Sequence, residues 1–301
     1  MRGPGPSALR MVRTGAVCAL ASSVAAAPPA SKHVQPELVA DVESIAAGRP
    51  FQAGLRLRMA PEWHTYWKNP GDSGLATRLT WKLPDGFQAG PIEWPYPEIF
   101  KQGPVTSYGY TREVLLPVTI TPPTTLAAGT SVTLAARADW LECREACLPG
   151  RRELSLVLPV RAEAPRPSGP WGAAFASARE RLPRAAAGWA FETREKPERL
   201  VLVVRPPRAQ PEIRQAYFFP DRGQMIDHAA TQAWARSAGS YRLEMTPAPN
   251  AARPLGALEG VLVIEGSGGR TAVRVDAKNA APPAKEKPHR TAAPSSTESR
   301  P

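Results

Sequence analysis

Proline runs through this chain from end to end, 35 of them in 301 residues. A proline inside a helix removes a hydrogen bond and clashes with the preceding turn, whereas strand edges and turns tolerate it. The count argues against a helical bundle and for short strands joined by turns, and the low aromatic share of 7% agrees. The apolar runs between the prolines have the matching period. FQAGLRLRMA (51–60) sets Leu55, Leu57 and Met59 against Arg56 and Arg58, the alternation of a half-buried strand. EVLLPVTI, TSVTLAARADWL and RRELSLVLPV read as further strands, with NPGDSG (69–74) and LPDG (83–86) as turn signals between other segments. About seven such strands between 36 and 161 predict a sandwich.

AEAPRPSGP (162–170) has the composition of a linker, and a second unit follows at 171–276. WGAAFASARERL places Trp171, Ala174, Phe175, Ala178 and Leu182 on one helical face, and Pro183 stops it. ERLVLVVRPP, EIRQAYFFPD, SYRLEMTP, LEGVLVIEG and RTAVRVDAK are again strand-like. The expected class is all-β: two sandwiches in tandem, with one short helix opening the second.

The first residues read as a targeting signal rather than as part of the fold. Arg10 and Arg13 precede TGAVCALASSVAAA, the charged, apolar and small-residue order of a secretory signal. Loss of residues 1–26 would remove Cys18 and three arginines and bring the net charge from +11 to +8. Residues 277–301, rich in Pro, Ala, Ser and charge, are expected to be a disordered tail, since such a composition cannot build a core. The remaining basic residues are scattered among acids, so no nucleic-acid partner is expected. No later apolar run approaches the roughly 18 to 20 residues that cross a bilayer, and the mature chain is expected to have no transmembrane segment. Export to the periplasm or outside the cell follows, where a disulfide can persist.

That leaves two cysteines, both in WLECREACLPG (140–150). A staple between Cys143 and Cys147 closes a loop of three intervening residues, and such crosslinks restrain the unfolded chain less as loops shorten. A tight metal site needs further Cys or His ligands, and only His64 lies in the same unit, although weak Cu(I) binding by the two thiols stays open. A redox couple asks for two sulfurs that remain close whether bonded or not, with one accessible to a partner. Arg144, Arg151 and Arg152 would favour a thiolate, and Glu142 and Glu145 oppose them. The redox reading fits these facts best. The three-residue spacing and the absence of a βαβ pattern distinguish the pair from thioredoxin's.

WHTYWKNPGDSGLATRLTWKLPDGF (63–87), IEWPYPEIF (92–100), SYGYTREVLLPVTI (107–120) and ADWLECREACLPG (138–150) together resemble the N-terminal periplasmic domain of the thiol:disulfide interchange protein DsbD, in its ScsB-like branch. QAYFFPDRGQMIDHAA (215–230) is similar to the second domain of that branch. The resemblance implies immunoglobulin-like sandwiches and an exchange that uses no cofactor. It implies that Cys147 forms the mixed disulfide with partners and that Cys143 resolves it. Electrons would come from a membrane-embedded or thioredoxin-like reductase, here a separate protein, and pass to oxidised periplasmic clients. A cap loop covers the cysteines in that family; its counterpart is PEIFKQGPVTSYGY (97–110), with Phe100 and Tyr108 as lid candidates and Tyr110 as a packing residue beneath. Copper stress is associated with the same branch, so a non-catalytic protein-binding or copper-handling module is the second reading.

Other residues have simpler readings. Trp63, Tyr66 and Trp67 are expected to fill a sandwich core, with nothing in the sequence to place His64 beside the thiols. Asp139 and Trp140 read as strand-end packing, and Glu142 and Glu145 as a solvated turn. No nucleophile elbow, phosphate loop or zinc-protease helix occurs.

Overall fold

The computed structural model describes residues 32–237, 239–252, 255 and 257–278. The expected signal segment and nearly all of the expected tail lie outside them. The first unit is a sandwich of two antiparallel sheets. One has the order β1 (Val34–Ala40), β2 (Phe51–Met59), β8 (Glu113–Thr121) and β5 (Gln88–Ile92). The other runs β10 (Cys147–Pro159), β9 (Ser131–Cys143), β3 (His64–Gly71), β7 (Val105–Thr111) and β6 (Glu98–Gln102), with β4 (Arg78–Lys82) also paired to β9.

The alternation behaves as its chemistry requires. Leu55, Leu57 and Met59 are buried in the core. Arg56 turns outward between Glu37 and Glu113, at 3.1 and 2.7 Å. Ten strands form where the pattern shows about seven. The additions β4, β5 and β6 are five residues each and mostly exposed, so no apolar run marks them.

Residues 162–170 are pinned rather than free. Ser168 donates its backbone N–H to the Asp41 carbonyl at 2.7 Å, and Glu43 donates to the Arg166 carbonyl at 3.0 Å. The helix α1 (Gly172–Arg181) then buries Phe175 and Ala178 against Val39 and Leu115 of the first sandwich. A Cβ at Gly54 would lie 2.7 Å from a Leu115 methyl and 3.3 Å from the Phe175 ring, so that glycine makes room for the contact. The helix, expected to open the second unit, thus covers the four-stranded sheet of the first. This explains why EVLLPVTI is apolar on both faces of β8: one faces the core and the other faces α1.

The second sandwich pairs β11 (Ala190–Lys196), β12 (Arg199–Arg205), β15 (Ser240–Met245) and β14 (Ala233–Ser237) in one sheet. Its other sheet is β13 (Ile213–Pro220), β16 (Ala257–Gly266) and β17 (Gly269–Lys278). The two immunoglobulin-like sandwiches share an apolar joint. Phe219, Val261, Val263 and Ala272 of the second pack in one cluster with Trp67, Tyr108 and Tyr110 of the first. Polar contacts rim it: Asn69 donates its side-chain N–H to the Pro220 carbonyl at 2.8 Å, and Lys68 pairs with Asp221 at 2.6 Å. Among the described residues no helix is long and apolar enough to cross a membrane.

Candidate functional site

The two cysteines sit at the facing ends of the two longest strands among the described residues. Register pairing puts Cys143 at the last position of β9 directly across from Cys147 at the first of β10. Opposed residues in an antiparallel pair have side chains on one face a few ångströms apart. Here the Cα atoms are 4.2 Å apart and the sulfurs form a disulfide. Its two halves differ in access: Cys143 is 2% exposed, whereas Cys147 is open to solvent.

Side chains alternate between the faces of a strand, so register identifies what shares the disulfide's face. On β9 the even positions Leu134, Ala136, Ala138, Trp140 and Glu142 point inward and are buried, which places Cys143 on the outer face. His64 pairs directly with Cys143, and Tyr66, two residues on, shares its side. Phe100 joins them from β6, and its ring stacks on the His64 ring with centroids 4.6 Å apart. A Cβ at Gly109 would collide with the Thr65 carbonyl of β3 and come within 3.2 Å of the Phe100 ring, so glycine there lets the strands approach and leaves the ring its place.

The Tyr66 hydroxyl lies 3.6 Å from the Cys147 sulfur, within hydrogen-bond reach for sulfur. Burial raises the tyrosine's pKa, so the hydroxyl keeps its proton and can donate to a Cys147 thiolate. Burial also lowers the pKa of His64, which favours a neutral imidazole beside the pair. Gln102, near the tip of the β6–β7 hairpin, donates to the Arg144 carbonyl inside the cysteine loop at 2.9 Å.

The charges near the sulfurs are largely paired among themselves. Arg144 contacts Glu62 at 3.1 Å and Glu145 at 3.5 Å, and Arg151 bonds Asp139 at 2.5 Å. Glu145 is exposed, as a solvated turn requires. Glu142 differs from that expectation: it is 1% exposed and accepts the Trp140 indole N–H at 3.1 Å. The reason is parity, since Glu142 falls on the core face of β9 and its neighbour Cys143 on the outer one. Among the described residues no three His, Cys, Asp or Glu side chains form a metal-holding group.

Of the cap candidates, Phe100 sits on the disulfide's face and the two tyrosines do not. Phe100 pairs with Ser107 and Ile99 pairs with Tyr108, which puts Phe100 and Tyr108 on opposite faces of the hairpin. Tyr108, offered as a lid residue, is fully buried at the joint with the second sandwich. Tyr110, on the same inner face, donates its hydroxyl to the Pro95 carbonyl at 2.7 Å and is buried in the core. His64, Tyr66 and Gln102 were missed as neighbours of the cysteines. The two-residue spacing of His64 and Tyr66 shows that they share a face, but nothing local shows which strand lies beside them.

Residues 30–159 match the family model described as the N-terminal domain of thiol:disulfide interchange protein DsbD. Among solved structures the chain is similar to the N-terminal periplasmic domain of ScsB from Proteus mirabilis, at 19% identity, over 84% of this chain and 96% of that one, with a TM-score of 0.60. At that identity the likeness is one of fold, and its span takes in both sandwiches. The sporulation control protein Spo0M from Bacillus subtilis aligns at 11% identity over 82% of this chain and 91% of that one, but its TM-score of 0.22 carries no weight. No curated protein sequence matches the chain.

Proposed function

With the first sandwich a DsbD-type N-terminal domain, and so a thiol:disulfide interchange module, we propose that this protein carries electrons between a separate thiol reductase and oxidised client proteins in the periplasm. The observation that carries the reading is the unequal access of the two sulfurs, with Cys147 open and Cys143 buried. Exchange proceeds by thiolate attack on one sulfur of a disulfide. To reduce the protein, a reductase thiolate attacks the Cys147 sulfur, the Cys143–Cys147 bond breaks, and Cys143 leaves as a thiolate. A second reductase thiol then releases Cys147. Toward a client the steps reverse: the Cys147 thiolate opens the client disulfide, and Cys143 attacks Cys147 to free the reduced client. Two electrons enter from the reductase and two leave to the client, and the Tyr66 hydroxyl stabilises the Cys147 thiolate while it waits.

The test is a trap. Cys143→Ala should accumulate reducible adducts joined through Cys147 in periplasmic extracts, because nothing resolves them, while Cys147→Ala should accumulate few. Absence of thiol-dependent adducts with both variants would refute the reading. A reduction potential below about −300 mV would do the same, because a bond that resistant behaves as a structural one.

A further inference from the structure

The second sandwich contains no cysteine, yet it reaches the cysteine site, touching β3 through Trp67, Lys68 and Asn69 and also the β6–β7 hairpin. The β6–β7 hairpin lies between the two. Its outer face carries Phe100 onto His64, and the side chain of Gln102 reaches the cysteine loop. Its inner face presents Tyr108 to the second sandwich. The Tyr108 hydroxyl shares hydrogen bonds with the Tyr217 hydroxyl at 3.1 Å and with Nδ1 of His228 at 2.9 Å. Its ring meets Phe219 edge-on with centroids 4.9 Å apart. β6 is the edge strand of its sheet, with β7 as its one strand neighbour. An edge strand is the part of a sheet that opens at least cost, so the grip on β7 bears on how firmly β6 stays in place.

We propose that the second sandwich is the holder of the active-site hairpin: Tyr217 and His228 fix Tyr108, and through β7 and β6 they keep Phe100 and Gln102 against the cysteine loop, shielding Cys143. The proposal rests on the exchange reading for its purpose, but its physical content does not need a client. If the holder is released, the hairpin opens more often, and the buried sulfur becomes accessible in proportion. Tyr108→Phe keeps the ring and removes both shared hydrogen bonds. Losing a buried hydrogen bond typically costs about 1 kcal/mol or more, which is about fivefold in an opening equilibrium.

The experiment uses the reduced protein. Alkylation of Cys143 and Cys147 by iodoacetamide is followed by mass spectrometry, alongside amide hydrogen exchange of residues 98–105. Tyr108→Phe and, as a milder change, Tyr217→Phe should speed Cys143 alkylation and hairpin exchange together, by about fivefold for the former, with exchange in β2 and β8 unchanged. Phe100→Ala, which removes the shield itself, should raise Cys143 alkylation at least as much. The proposal is overturned if both tyrosine variants fold and leave Cys143 alkylation within twofold of the parent. It is equally overturned if Phe100→Ala has no effect, because the hairpin then shields nothing. Failure of the exchange reading looks different: faster alkylation in these variants, but no adducts from Cys143→Ala.

Discussion

The hairpins β9–β10 and β16–β17 are the longest in their respective sandwiches and pair in unbroken register over their whole length. At the tip of the first, Cys143 and Cys147 face each other across three residues. At the tip of the second, Gly266 faces Gly269 across two, and Gly269 takes a φ of +87°. Around the first tip stand His64, Tyr66, Phe100 and Gln102. Among the described residues the second has no such ring of side chains: Gly266 lies against the Glu212 carbonyl just before β13, and nothing lies within 4 Å of a Cβ built on Gly269. The same ladder therefore ends in a disulfide among aromatic and polar neighbours in one domain and in a plain turn in the other. Function resides in what surrounds the tip, not in the hairpin itself.

The largest effect expected from breaking this contrast comes from what the two domains share. Trp67 is fully buried at the joint, edge-on to Phe219. Trp67→Ala should cost about 3–5 kcal/mol, and hydrogen exchange should show protection falling in both sandwiches, not in the first alone. Next in size is reduction of the disulfide. A loop this short restrains the unfolded chain by at most about 2 kcal/mol, and the paired strands already hold the two ends together. Urea unfolding with and without reductant should show a lower midpoint and an intact first sandwich in the absence of urea; loss of the fold on reduction would make the bond a staple. Smaller still is Gly269→Ala, which places a side chain in left-handed backbone at a cost of about 1–2 kcal/mol. It should loosen β16–β17 and leave the alkylation rate of Cys147 unchanged.

The last prediction is a slope. Burial depresses the pKa of His64 at the first tip and of His228 at the joint below the ordinary 6.5, with Asp72 and Asp227 partly offsetting it at His228. The unfolded chain therefore binds more protons than the folded one just below that pH. Stability is whole above about 6.5 and falls as pH drops through it toward the folded values. Thermal unfolding across that window should show the fall, and His64→Gln should flatten it.

Much of the fold was legible because its signals are local. Alternation in 51–60 places Leu55 and Leu57 inward and Arg56 outward, and the structure agrees. Pro183 ends a helix whose buried residues, Phe175 and Ala178, were on the expected face. The motifs mark the cysteine pair and the segment that holds Phe100 and Tyr108, but a motif identifies a segment and not the side of the strand on which each residue falls, so the opposite facing of Phe100 and Tyr108 was not legible. Glu142 failed for the same reason: a charged residue in a short turn-like run looks solvated until the register turns it inward.

By itself the sequence determined the strand-rich class and its two sandwiches and singled out Cys143 and Cys147 as near neighbours, since period, proline placement and cysteine spacing are properties of neighbouring residues. The tertiary structure decided which sulfur is open, what lies beside it and what the second domain touches. Tyr66 meets Cys147 across 81 residues and Tyr108 meets His228 across 120. Such contacts depend on strand register and on the packing of one sandwich against another, and no local pattern encodes either.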